Sequence, residues 1–134
     1  MFTTFSDLLA VEDRPHLIGE LAERFEVSLR TIRFYEQRGL IAPRRSDPHT
    51  RVFQGEDVAR LGFIVGCRRL GLSVETIGAL LATRDGSDAA AFRRDLAAAL
   101  AAHRDLLTAQ RTELDRQIAA TEAWVGELAD EREA

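Results

Sequence analysis

The chain has 134 residues, 46% hydrophobic and 30% charged, which suits one small domain with an apolar core plus an extended helix. The longest apolar runs fall short of the roughly 20 residues of a membrane span. The start lacks the basic region of a signal peptide, and a single cysteine excludes an internal disulfide. We therefore predict a cytoplasmic protein without a membrane partner. The net charge is −4, yet residues 17–73 hold ten arginines against seven acidic residues, and a positive segment suits an anionic partner.

The first elements along the chain are typical of a helix-turn-helix. Residues 1–16 show no period, and we predict a mobile N-terminal extension there. Apolar residues then recur at helical spacing from Ile18 to Phe25, and a second helix follows Ser28, whose hydroxyl can cap its first amides. Gly39 is a typical helix stop. Two short helices joined by a three-residue turn form a helix-turn-helix over about residues 18–37.

The next segment predicts a β-hairpin wing followed by two helices. Residues 40–53 contain two prolines and end in a run of strand character, so they cannot be helical. A third helix is predicted from Gly55 to Leu70, and a fourth begins after Ser73 and ends near Arg84. Together with the helix-turn-helix, these elements form one predicted domain over residues 17–85.

Residues 88–131 predict a single long helix, because they contain no proline and one glycine. A helix of this length extends about 60 Å and needs a partner for its apolar stripe. Leucines recur every seven residues along it, which is typical of a coiled-coil seam. The alternative is that the helix folds back on its own domain. The predicted dimer-interface residues are Leu96, Leu100, Leu107, Leu114 and Ile118. The fold class is thus mainly α, a winged helix-turn-helix followed by a long dimerisation helix.

Several motifs in this order resemble the MerR family of bacterial transcription regulators. They are the run TIRFYE at residues 31–36, GLI at 39–41, RVF at 51–53, DVARL at 57–61 and LGLS at 70–73. The resemblance covers residues 18–81 and implies a homodimer whose long helices pair antiparallel. It also implies that the dimer binds double-stranded promoter DNA and realigns it for RNA polymerase.

The chain departs from the family pattern at two places. His49 and Thr50 stand before the wing arginine, where the family usually has Gly-Tyr. The cysteines of the family's metal sensors are absent from the long helix and the C-terminus. We therefore expect no metal and no cofactor, and the sequence does not identify a small-molecule effector.

The candidate DNA contacts lie on the second helix and the wing. Arg33 can reach a phosphate or a guanine edge, or else pair with Glu36. Tyr35 can donate its hydroxyl to a phosphate, or be a core aromatic, while Phe34 is expected to pack inward. The full set of predicted DNA-binding residues is Arg30, Thr31, Arg33, Tyr35, Arg44, Arg45 and Arg51.

Two function hypotheses follow. The sequence contains no catalytic constellation, so we do not expect an enzyme. The first hypothesis is a DNA-binding transcription regulator, and the alternative is a MerR-like module of the chaperone-modulator type that binds a protein. The cationic second helix favours DNA. Arg60 is expected to form an internal salt bridge, and Cys67 is expected to pack in the core rather than act as a sensor.

Overall fold

The computed structural model describes residues 14–42, 44–45, 51–86 and 88–133, and the chain divides into two compact units after Gly86. The first unit holds four helices and a small sheet among its described residues, and the second is a single long helix. The elements of the first unit are β1 (His16–Leu17), α1 (Ile18–Phe25), α2 (Leu29–Gln37), β2 (Arg44–Arg45), β3 (Arg51–Phe53), α3 (Gly55–Leu70) and α4 (Val74–Gly86). The long helix is α5 (Ala89–Glu133).

The helix-turn-helix is fixed by local caps that the sequence predicted. Ser28 accepts a hydrogen bond from the amide of Thr31 at 3.0 Å, which satisfies a free amide in the first turn of α2. At the other end, Gly39 has φ 74° and its amide donates to the Glu36 carbonyl at 3.0 Å. Glycine adopts this left-handed conformation without the steric penalty of a side chain, so α2 ends where predicted.

The sheet has three strands in the order β1-β3-β2, and all pairs are antiparallel. Strands β2 and β3 confirm the predicted wing. The sequence does not predict the first strand, because residues 1–16 show no regular period and predict an irregular extension that includes His16. For His16 the predicted extension is wrong, because His16 lies opposite Phe53 across β1 and β3 and is 1% exposed. Residues 1–13 of that predicted extension lie outside the described residues. A strand of two residues is too short to show an alternating pattern.

The core of the first unit is formed by apolar residues from all four helices and from β3, and its fully buried members include Leu21, Ile32, Phe53, Leu61 and Ile77. Cys67 belongs to this core, as expected, and burial raises the pKa of its thiol to about 11. A thiol in this state is a small apolar group rather than a reactive nucleophile.

The long helix begins at a cap and then exposes its surface. Asp88 accepts a hydrogen bond from the Ala91 amide at 2.7 Å. Every residue from 104 to 132 is exposed, including seven large apolar side chains: Leu106, Leu107, Leu114, Ile118, Trp124, Val125 and Leu128. Leu96 differs, because only 6% of it is exposed in a single copy. None of the helices described here has the combination of length and apolar character needed to cross a membrane.

Candidate nucleic-acid interface

The second helix of the helix-turn-helix, α2, has one buried and one cationic face. Ile32 and Tyr35, three positions apart, are buried on the domain side. Arg30 and Arg33, also three positions apart, are both exposed. Because residues at this spacing lie on the same side of a helix, the two guanidinium groups are available to one ligand surface. Phosphate oxygens and base edges are the acceptors that such groups bind in nucleic acids.

Thr31 lies at the N-terminal end of the same helix, but its hydroxyl already has a partner. The hydroxyls of Ser28 and Thr31 are 2.9 Å apart and hydrogen-bonded. Thr31 is half-buried. This pair holds the first turn of α2, so a DNA contact through Thr31 requires its hydroxyl to share this bond, and that contact stays a prediction.

The two neighbouring aromatic residues of α2 differ in exposure. Tyr35 is 5% exposed, so its ring is a core residue, and the contact of its hydroxyl with phosphate stays a prediction. Phe34 was expected to pack inward, and this is wrong, because it is 42% exposed. Its ring centroid lies 5.9 Å from that of Tyr35 and 5.9 Å from the guanidinium carbon of Arg38. Phe34 is exposed where Tyr35 is buried because Phe34 lies one helical turn after Arg30, on the exposed face of α2.

The backbone of the wing brings its three arginines onto adjacent strands. Arg44 pairs with Val52, and Arg45 pairs with Arg51. The side chains of these arginines lie outside the described residues, as do residues 43 and 46–50 with the unusual His49 and Thr50.

Arg60 of α3 forms the internal salt bridge that the sequence predicted. Its two terminal nitrogens lie 2.8 and 3.1 Å from the two carboxylate oxygens of Asp85 in the last turn of α4. The hydrogen bond from Arg60 lowers the pKa of the Asp85 carboxyl. The guanidinium is therefore engaged inside the unit.

The structure also shows a partner for Arg69, which the sequence does not mark as a functional residue. Its guanidinium donates to the carbonyl of Phe25, 44 positions earlier in the chain. Nothing in the local sequence distinguishes it from its neighbour Arg68.

A metal centre is not part of the described site. Within residues 14–42, 44–45, 51–86 and 88–133, no group of three or more His, Cys, Asp or Glu side chains is placed to hold a metal ion.

Two family models match the chain and overlap in its middle. The MerR HTH family regulatory protein model matches residues 17–83, and the model described as MerR, DNA binding, matches residues 58–130. The first match spans the helix-turn-helix, the wing and most of α4. The second continues through most of α5.

Curated relatives are transcription regulators. The HTH-type transcriptional regulator HmrR of Rhizobium leguminosarum bv. viciae is 39% identical over 101 residues, which are 75% of this chain and 71% of that protein. The ZntR homolog of Haemophilus influenzae is 41% identical over 71 residues, which are 52% of this chain and 53% of that protein.

Solved structures share the fold. PbrR691 of Ralstonia metallidurans CH34, solved in complex with lead(II), is 31% identical with a TM-score of 0.55, over 75% of this chain and 80% of that one. HiNmlR, a MerR family regulator lacking the sensor domain and bound to promoter DNA, has a TM-score of 0.61 at 22% identity, over 78% and 79% of the two chains. With the family matches and the HmrR alignment, these likenesses show that the chain belongs to the MerR family and is a DNA-binding transcription regulator.

Proposed function

We propose that the protein binds a pseudo-palindromic promoter site as a homodimer and distorts the DNA between its two half-sites. The observation that carries this proposal is the exposed pair Arg30 and Arg33 on α2, in the same unit as the arginine-bearing wing strands. A cationic helix face suits the major groove, and arginines on a wing suit the flanking backbone. A promoter-binding role also requires the protein to work in the bacterial cytoplasm.

The long helix supports the homodimer. Leu107 and Leu114 lie seven residues apart, and each is about half exposed in a single copy. Exposed leucines at heptad spacing favour pairing with a second helix of the same kind. Leu100 and Ile118 extend this stripe in the two directions. Because two identical chains related by a two-fold axis present identical recognition helices, the expected site is a pseudo-palindrome.

A rigid dimer supports distortion of the DNA. The dimer seam would set a fixed separation between the two recognition helices, and a separation that does not match straight B-DNA bends or untwists the site. Smooth bending of such a site costs about 1–6 kcal/mol, which the additional protein–DNA contacts offset. RNA polymerase would then read the realigned promoter, and an effector would act by biasing the angle between the two DNA-binding units.

The effector is proposed to be something other than a metal held by thiolates. PbrR691 binds lead(II), but this chain contains one cysteine, Cys67, which is buried and has a pKa of about 11. A thiolate site needs several deprotonated sulfurs within reach of one ion.

A gel shift with a duplex from the region upstream of the protein's own gene tests this proposal. The control is a shuffled duplex of the same length and composition at the same salt concentration. We expect two chains per duplex and tighter binding to the promoter duplex by about 10³-fold or more. Equal affinity for the two duplexes would instead favour a MerR-like module that binds a protein partner.

A further inference from the structure

Helix α3 holds the chain on both sides of the recognition helix α2 through two arginine side chains. Arg69 donates to the carbonyl of Phe25, the last residue of α1. Arg60 donates through Nε to the carbonyl of Leu40, three positions beyond the end of α2 at Gln37. The two arginines are nine positions apart, or about 13.5 Å along the helix axis, and the nine residues of α2 span about the same length. One helix can therefore reach both flanks of the other.

Both carbonyls lie where regular structure ends and backbone acceptors need a partner. Glu26, after Phe25, has φ 54°, and Gly39, before Leu40, has φ 74°. The Phe25 carbonyl is the last of α1 and lacks an intrahelical donor, whereas the Leu40 carbonyl lies in the turn after α2, outside any helix or strand. A guanidinium is a strong, charge-assisted donor for both. These bonds fix the two turns between which α2 lies.

Arg60 makes a third connection, to the end of the unit. Besides Leu40, it binds both carboxylate oxygens of Asp85 in the last turn of α4. All three guanidinium nitrogens are thus used within the protein, and the side chain is 18% exposed. A guanidinium whose nitrogens are all hydrogen-bonded within the protein fixes the backbone around it and is not available to bind a phosphate.

The neighbouring Arg68 provides a matched comparison. Its guanidinium donates to the Leu72 carbonyl at 2.9 Å, four positions further along, so it binds the turn that follows its own helix. Within the described residues, the Arg68 guanidinium makes no hydrogen bond to α1 or α2. Replacing Arg68 or Arg69 removes the same charge from nearly the same place, and the bond to Phe25 is lost in only one case.

We propose that Arg60 and Arg69 are positioning residues: they orient the recognition helix through the carbonyls that flank it and thereby determine specific DNA binding without touching DNA. This proposal rests on the proposed function, because specific DNA binding is the property that the two arginines would control. A misoriented α2 keeps its charge, so non-specific binding to phosphates persists while the discrimination between sites falls.

The test compares Arg69→Gln with Arg68→Gln, and Arg60→Gln with the wild-type chain. The affinities for the promoter duplex and for the shuffled duplex are measured over a series of salt concentrations, well below the melting temperature of each variant. We expect Arg69→Gln and Arg60→Gln to lower the specific-to-non-specific ratio by about 5-fold or more, and Arg68→Gln to leave it unchanged. Arg69→Lys, which keeps a cationic donor, is expected to restore part of the ratio. If one glutamine variant does not fold, the other provides the comparison.

Two results would overturn the proposal. One is an unchanged ratio in folded Arg69→Gln and Arg60→Gln. The other is a salt slope that falls by about one unit in Arg69→Gln but not in Arg68→Gln, because that marks a direct phosphate contact. A wild-type chain that does not discriminate between the duplexes contradicts the proposed function instead. Positioning is then measured by hydrogen exchange: the amides of residues 29–41 exchange faster in Arg69→Gln than in Arg68→Gln if α2 is held as proposed, and equally fast if it is not.

Discussion

His16 and Phe53 lie opposite each other across strands β1 and β3, and both side chains are almost completely buried. Neither ring nitrogen of His16 has a hydrogen-bond partner among the described residues, and Nδ1 lies 3.9 Å from a carboxylate oxygen of Glu20. A polar ring in this setting fills space beside the wing strand without the hydrogen bonds that would offset its loss of water.

We therefore predict that His16→Leu stabilises the protein. Leucine has a similar volume and no polar atom to desolvate, so the free energy of unfolding should rise by about 1 kcal/mol or more. Chemical denaturation at pH 7.5 measures this free energy of unfolding. The control is Leu17→Ala, because Leu17 is more than half exposed and surface changes of this kind alter stability by less than about 0.5 kcal/mol. A less stable His16→Leu would show that the ring makes a favourable contact.

Arg33→Ala tests the cationic face of α2. If Arg33 contacts a phosphate, its loss weakens binding to all duplexes and reduces the slope of log affinity against log salt by about one unit. If it contacts a guanine, the slope is kept and discrimination of about 1–3 kcal/mol disappears at one base pair. Arg111→Ala in α5 removes the same charge outside the DNA-binding unit and should change neither quantity. Unchanged affinity and specificity in Arg33→Ala would exclude both contacts.

Leu107→Asp tests the dimer seam. A carboxylate at a seam position loses its water without gaining a partner, which weakens the dimer by several kcal/mol. Sedimentation at micromolar concentration should show a monomer for Leu107→Asp and a dimer for the wild type. Ala109→Asp, two positions along on a different face of α5, is the matched control and should stay dimeric. A dimeric Leu107→Asp would mean that the helices pair through another face.

Asp85→Asn tests the ion pair with Arg60. Because Arg60 lowers the folded-state pKa of Asp85 below its ordinary value of 3.8, the pair stabilises the fold above that value, and the contribution is lost as pH falls through the folded-state pKa. The Asp85 side chain is 55% exposed, so the expected loss in Asp85→Asn at pH 7 is below about 1 kcal/mol. Denaturation of both proteins at pH 7 and pH 3 should show the difference shrinking in acid. A difference that grows in acid would contradict the lowered pKa.

Local signals explain most of what the sequence predicted. Ser28, Ser73 and Gly39 act within a few residues of themselves, so the helix ends that they form could be located from the chain alone. The features that were missed depend on distant partners. Strand β1 exists because β3 pairs with it, and Arg69 has a role because the chain brings Phe25 to it from 44 positions away.

In the DNA-binding site, too, local features could be predicted from the sequence and contacts between distant residues could not. Phe34 and Tyr35 are adjacent aromatic residues in α2, and the sequence does not determine which of them faces the core. The packing of the unit determines that Tyr35 is buried and Phe34 is exposed. Arg60 could be predicted as a salt-bridge partner from its place in the family motif. Its bond to the Leu40 carbonyl could not, because that bond needs the turn after α2 to be in place.

The most direct test of the proposed mechanism is a circular-permutation gel shift, in which the promoter site is placed at different positions along DNA fragments of one length. A dimer that bends its site makes the mobility of the complex depend on that position, with the slowest migration when the site is central. We predict this dependence for the wild-type chain, and chemical probing of the bound spacer should show reactive, unstacked bases there. Equal mobility for all fragments, with an unreactive spacer in the presence and absence of effector candidates, would contradict distortion and leave occlusion of polymerase as the mechanism.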